Sequence, residues 1–293
     1  MDYMVVTMER KGASRTKALK TLGELPPFSP VLNRLLADLG RDDVSFGKLA
    51  DLIEKDTVIA GSVLHVVNSA LYGRRGTINS VRSAVSVLGL NKLRNFVLSM
   101  SVARMWTQAS LPRHFNTARF NRHSVATAIM ADFLAQHLAI SYPEGAFVAG
   151  LFHDLGKMLI AVGMKSDWEE IDTMYHRGGA SLVECEEAVL GVNHAELSGA
   201  AVAYWNLPAP IQTAVFNHHR PEQEPSGPSI TLSRAVAAAD HHANNSGCSV
   251  DPRIQEVDLQ CANTIESLGM GDKTASVIQQ YEAELEAIAG FFR

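Results

Sequence analysis

Cysteine is scarce: Cys185, Cys248 and Cys261 are the only three in 293 residues, and none forms a Cys-x-x-Cys pair. An odd count without pairing argues against a disulfide framework and for free thiols in a reducing cytosol. No stretch approaches the roughly 18 uninterrupted apolar residues that a membrane span needs. The opening MDYMVVTMER has neither a sustained apolar segment nor a small-residue cleavage site. A cytoplasmic protein without a membrane partner is therefore expected. Period-two alternation is missing, which argues against β-strands. No internal repeat occurs, so a solenoid is not expected. Charge of one sign is also missing. A net charge of −5 and a pI near 6.1 give no general attraction to nucleic acid or anionic lipid.

What is present is apolar material at helical spacing. The chain is 46% hydrophobic and 19% charged, enough for a sizeable core in one large domain or two medium ones. Residues 1–24 carry Arg10, Lys11, Arg15, Lys17 and Lys20 and read as a solvated tail or partly ordered lead-in. Leu25-Pro26-Pro27 punctuates the chain. Residues 25–110 read as a lobe of about five short helices. Val31, Leu32, Leu35, Leu36 and Leu39 form its first stripe, with Gly40 as a stop. Asp56 and Ser80 are candidate N-caps, and Tyr72-Gly73 and Gly89 candidate stops.

Ser110-Leu111-Pro112 marks a boundary, and residues 111–248 form the second lobe. A long helix is expected from about Thr117 to Leu138, and a single helix through Phe147, Leu151, Leu155 and Leu159. Further helices are expected near 167–177, 180–190, 194–204, 208–218 and 229–244. Residues 249–293 read as amphipathic helices through Val257, Ile265, Leu268, Val277, Ile278, Tyr281, Leu285 and Ile288, packing on the core or mediating dimerisation. The expected fold is all-α, a two-lobed helical bundle.

Most of the eleven histidines fall in the second lobe. His153-Asp154 sits within the apolar GLFHDLGKMLIA and offers an imidazole nitrogen beside a carboxylate oxygen. Lys157, one turn later, could meet a phosphate or the carboxylate. His123 lies early in the long helix, His194 at a helix start, and His218-His219 at a helix end. Asp240 ends the apolar run AVAAAD, where a carboxylate without a charged or metal partner is rare. Taken singly, His123 and His194 read equally as hydrogen-bonded helix-end histidines. Asp154 alone could be the ion-pair partner of Lys157, and His218-His219 alone a pair facing the helix dipole.

Together and in this order, His123, His153-Asp154, His194, His218-His219 and Asp240 resemble the ligand set of the HD superfamily of metal-dependent phosphohydrolases. The HD-GYP branch of cyclic-dinucleotide phosphodiesterases is similar down to Lys157, which matches the lysine of its HDxGK motif. The segments LPPFSPVLNRLL, VVNSALYG, INSVRSAVSVLGLNKLRNFVLS and NHAELSGAAVAYWNLPAPIQTAVFNHH resemble the HDOD domain, a relative found in bacterial signalling proteins, over about residues 22–245. That resemblance implies an all-α regulatory or scaffolding module. Two departures stand out. The loop Arg220 to Pro228 has no GYP sequence, and Arg119 stands where some HD-GYP sites place a glutamate, which argues against a third metal.

The resemblance implies one or two divalent ions of iron, manganese or zinc, iron first. Asp154 would bridge them. His123, His153 and Asp240 would hold one ion, and His194, His218 and His219 the other. In an active enzyme, Asp154 and Lys157 would be catalytic, Lys157 stabilising charge on a phosphate oxygen. Arg74 and Arg75 are the first lobe's best candidate phosphate ligands. Two functions are expected to compete, ahead of a third, a metal- or nucleotide-sensing domain that binds without turning over. One is a signalling module that binds other signalling proteins. The other is a phosphohydrolase or phosphodiesterase acting on a nucleotide or cyclic dinucleotide.

Overall fold

Capping residues set the helix starts of the first lobe. Ser29 Oγ accepts the Leu32 N–H, and Pro30 opens α2 (Pro30–Ala37) with a preset φ. Helix α3 covers Phe46–Glu54. The Asp56 carboxylate accepts the Val58 and Ile59 N–H groups and starts α4 (Thr57–Val67). Ser80 Oγ accepts from Ser83 and starts α5 (Val81–Leu88). Gly89, at φ +79°, separates α5 from α6 (Leu90–Met105), a left-handed angle that glycine adopts without cost. Each such cap is worth about 1 kcal/mol. The computed structural model describes residues 2–24, 28–38, 46–69, 72, 77–225, 227–251 and 264–292. Leu25 to Pro27, Leu39, Gly40, Gly73, Arg74, Arg75, Ser226, Val257 and Cys261 lie outside the described residues.

The second lobe comprises α7 (Thr117–His137), α8 (Ala146–Phe152), α9 (Leu155–Gly163), α10 (Lys165–His176), α11 (Leu182–Leu190), α12 (His194–Tyr204), α13 (Ala209–Asn217) and α14 (Leu232–Ala243). Helix α7 packs against α8 and α14, and α12 against α9 and α13. A five-residue π turn, Asn244–Cys248, follows α14. Helix α15 (Thr274–Ala289) returns to pack on α7 with Val277, Tyr281, Leu285 and Ile288 buried. Buried side chains of both lobes form one continuous core. Among the described residues there is no strand, only a single parallel bridge between Ile140 and Ile230. The segment Pro143–Gly163 is long and apolar enough to cross a membrane, yet 89% of its apolar window is buried inside the protein, so it serves as core.

Two expectations are corrected. Residues 1–24 are not a solvated tail: Asp2–Glu24 is a helix, α1, lying on α9 and α12. Ser14, Ala18 and Leu22 recur at i, i+4 as a buried seam, and Ser14 Oγ donates to Leu190 O at 2.9 Å. The seam is narrow because cations flank it, and one of them, Lys17, meets Asp167 at 3.3 Å. The expected single helix through Phe147 and Leu159 is broken into α8 and α9 at His153-Asp154, with Asp154 at φ −97°, ψ 7°. A continuous helix would fan these two side chains 100° apart. The break lets both point into the same interior.

Candidate metal centre

Five helical elements deliver the seven predicted ligand residues to one place. His123 comes from the second turn of α7, His153-Asp154 from the α8–α9 break, and His194 from the first residue of α12. His218-His219 follow α13, and Asp240 lies in the third turn of α14. The ligand atoms fall into two clusters, Asp154 with His194, His218 and His219, and His123 with His153 and Asp240, in each of which the atoms lie within 4.8 Å of one another. Asp154 belongs to both by distance. Its Oδ2 is 3.3 Å from His123 Nε2 and 3.5 Å from His153 Nε2, while its Oδ1 is 3.2 Å from His194 Nε2 and 3.8 Å from His218 Nε2.

The outer nitrogens of four imidazoles are tied down. Nδ1 of His123 meets Cys248 O at 3.1 Å, Nδ1 of His153 meets Gly150 O at 2.7 Å, and Nδ1 of His218 meets Val215 O at 2.7 Å. Nδ1 of His194 meets Glu186 Oε2 at 2.6 Å, and the same oxygen accepts the His194 backbone N–H at 2.8 Å. Carbonyl and carboxylate oxygens only accept, so every one of these Nδ1 atoms carries the proton. Nε2 of each ring then faces inward, the arrangement that fixes tautomer and orientation in metal-ligating histidines.

Inside, ring nitrogens face one another. Nε2 of His123 and His153 stand 3.2 Å apart, and Nε2 of His194 and His219 stand 2.7 Å apart. Asp154 Oδ1 and His218 Nε2 are buried without a hydrogen-bond partner. An unsatisfied buried acceptor costs about 1–3 kcal/mol. Several converging on one point are what a cation would relieve. His123, His153, Asp154, His194 and His218 are no more than 2% exposed. The Asp240 and Lys157 side chains, 14% and 13% exposed, form the rim with His219. The mixed nitrogen and oxygen donors suit a divalent transition ion and do not choose among iron, manganese and zinc.

The charges agree with the geometry. Burial pushes the Asp154 carboxyl up, but His153, Lys157 and the hydrogen bonds of His123 and His194 overcome it and hold the group well below the usual carboxylate range. Asp240 behaves likewise, burial being outweighed by His123 and His153. Burial, reinforced by the neighbouring imidazoles, keeps His218 well below its ordinary value and His219 at about 3, so both offer free lone pairs at neutral pH. His123 is the opposite case. Burial lowers it, yet Asp154 and Asp240 raise it to about 9. Below that pH an Nε2 proton sits where a metal would sit. A metal entering the first cluster at pH 7.5 therefore displaces about one proton from His123. Titration calorimetry in two buffers of different ionisation enthalpy should register it, with apparent affinity rising about tenfold per pH unit towards 9. A binding enthalpy independent of the buffer would contradict this assignment.

Lys157 meets the carboxylate, its Nζ lying 2.6 Å from Asp154 Oδ2. Burial lowers the ammonium's pKa, but Asp154 and Asp240 more than restore it, so the group stays charged. Three supporting groups escape the sequence. Glu186 is fully buried and orients His194. Its signal was its place between Leu182 and Leu190, four residues from each on the apolar stripe of α11. Asn244 donates to Asp240 Oδ1 at 2.9 Å, and the Cys248 carbonyl is a backbone group.

The fold is an all-α bundle that brings this His–Asp cluster together. The HDOD domain profile matches residues 25–221, and the chain belongs to the HDOD domain family. It is similar in fold to an HDOD domain protein of unknown function from Geobacter sulfurreducens, with 22% identity, a TM-score of 0.74 and coverage of 94% of this chain and 98% of that one. A candidate phosphohydrolase from Shewanella amazonensis SB2B gives 20% identity, a TM-score of 0.71 and coverage of 94% and 98%. A candidate signal transduction protein from Marinobacter aquaeolei VT8 gives 18%, 0.71 and coverage of 96% and 66%. An uncharacterised protein of Treponema pallidum is 23% identical over 217 residues, and the match spans 40% of that curated relative's length.

Proposed function

We propose that this chain is a regulatory HDOD module acting in signal transduction, with two divalent ions held at the His–Asp centre. The observation that carries the metal reading is the set of ring nitrogens turned inward by four outward Nδ1 tethers, with Asp154 Oδ1 and His218 Nε2 buried without a hydrogen-bond partner. Asp154 would bridge, His123, His153 and Asp240 would hold one ion, and His194, His218 and His219 the other. The regulatory reading is supported by a nearly closed centre and by the absence of a GYP loop after His219. Its partners would be signalling proteins. The buried free thiols Cys185 and Cys248 suit a reducing, cytoplasmic setting.

A second reading, a phosphohydrolase acting on a nucleotide or cyclic dinucleotide, is favoured by one observation. A charged Lys157 stands on the rim beside Asp154. Bound ions would supply Lewis-acid polarisation of a phosphoryl oxygen. Lys157 and Asp154 would be the protein's own groups at the reacting phosphate, Lys157 as a fixed positive charge.

Elemental analysis of protein purified without chelator tests the metal reading. About two equivalents of iron, manganese or zinc are expected. Chelation should lower the melting temperature by several degrees, since an ion at a hundredfold excess over its Kd adds about 2.7 kcal/mol. Metal-free protein that cannot be reconstituted would end this reading. Turnover of phosphodiesters by the loaded protein, lost in Lys157→Met, would overturn the regulatory reading in favour of the enzyme.

A further inference from the structure

The π turn after α14 carries two separate orienting contacts to one cluster. At its start, Asn244 Nδ2 donates to Asp240 Oδ1 at 2.9 Å. At its end, the Cys248 carbonyl accepts from His123 Nδ1 at 3.1 Å. Both contacts serve the His123, His153 and Asp240 cluster, and neither touches the other. The turn is irregular: Ser246 and Gly247 leave helical geometry, Gly247 at φ +78°. Something packs on this irregular turn.

That something is α15. Tyr281, 1% exposed, sets its hydroxyl 3.5 Å from Ser246 Oγ and against Cys248, and its ring packs edge-on to His242 at 5.1 Å between centroids. Helix α15 is fixed in turn to the first lobe. Glu284 pairs with Lys92 at 2.6 Å, and Phe291 packs edge-on to Phe96 and His65, each at 5.4 Å. Among the described residues the second cluster has no such dependence. Its orienters are Glu186 on α11 and the Val215 carbonyl of α13.

We infer that Tyr281 is a positioning residue for one of the two metal sites: through the Asn244–Cys248 turn, the C-terminal helix sets the aim of His123 and Asp240, and so the affinity of the first ion alone. The inference rests on the metal reading above. Its chemistry is ordinary for metal sites, where loss of an outer orienting contact costs 10–100-fold in affinity. What is new is that the contact belongs to a helix anchored on the other lobe, so docking of the first lobe and affinity of the first ion share one strut.

The test compares full-length wild type, Tyr281→Phe and Glu186→Gln by chelator competition for zinc and by amide hydrogen exchange. Tyr281→Phe keeps the ring and removes only the hydroxyl contacts. It should weaken one ion by about tenfold, leave the other unchanged, and speed exchange within residues 244–248. Glu186→Gln should weaken the other ion and leave that exchange unchanged. Equal weakening of both ions in each variant, or no change in Tyr281→Phe, would overturn the inference. If wild type takes up no zinc, the metal reading falls. Exchange at 244–248 then decides the positioning role by itself, unchanged exchange in Tyr281→Phe rejecting it.

Discussion

Asp154→Asn should purify with less than about a tenth of the wild-type metal, from both clusters at once. Among the described residues no other side chain has this reach. Its two oxygens address His123 and His153 on one side and His194 and His218 on the other, at 3.2–3.8 Å. The amide keeps the shape but loses the charge, and its NH2 group can only point a donor at a site built of acceptors. Stability should suffer as well. Lys157 and the His123 imidazolium would lose their buried counter-charge, a loss of roughly 3 kcal/mol when one partner of a buried pair is removed. Elemental analysis reads the first effect and a urea titration the second. Unchanged metal content in a folded variant would remove Asp154 from the bridging role. Loss from one cluster only would assign it to that cluster.

Gly156→Ala should be nearly as damaging without touching a ligand. A Cβ on Gly156 would stand 2.1 Å from His194 O and 2.8 Å from the His194 carbonyl carbon and Cα, all backbone atoms that cannot rotate away. The start of α9 is fastened to α12 at this point. The Gly156 N–H donates to Ser198 Oγ at 2.7 Å, and that hydroxyl donates to His194 O at 2.8 Å. One methyl group therefore pushes apart the two helix starts that present Asp154 and His194. Overpacking of this kind costs about 1–3 kcal/mol, and a rigid backbone obstacle belongs at the upper end. The expected result is a urea midpoint lowered by about 3 kcal/mol of stability, with most of the metal lost. A variant within about 0.5 kcal/mol of wild type, the range of an ordinary surface change, would show that the two helices can separate freely. The glycine of the His-Asp-x-Gly-Lys segment thus has a packing reason.

The sequence made the helices and the candidate ligand residues legible, because both depend on side-chain identity. Apolar spacing located α7, α12 and α13, and the caps Asp56 and Ser80 start α4 and α5 as their chemistry requires. The break at His153-Asp154 was not legible. The apolar residues of GLFHDLGKMLIA keep a helical period across it, and periodicity cannot register a change of axis. The α1 seam was hidden for the reason that its buried positions, Ser14, Ala18, Thr21 and Leu22, include only one large apolar residue. The tethers of His123, His153 and His218 were out of reach for a deeper reason. A carbonyl oxygen is the same atom at every position, so nothing in residues 248, 150 or 215 announces it. Glu186 alone among the Nδ1 tethers has a side-chain identity, and it reads as one more acid beside Glu184 and Glu187.

That difference sets how the centre tolerates genetic change. Three tethers need no particular side chain at the residue that supplies them, since the carbonyl remains whatever side chain is attached. They fail when the backbone itself shifts, through an inserted residue or a proline nearby. The fourth has no such insurance. A single base change that turns Glu186 into glycine, alanine or valine deletes the His194 acceptor outright. Random mutagenesis scored for metal retention should accordingly find positions 215 and 248 permissive to side chains that fit their packing, whereas at position 150 any Cβ would stand 2.8 Å from Ala128 Cα. Position 186 should be nearly as intolerant as the ligands themselves, although it touches no ion.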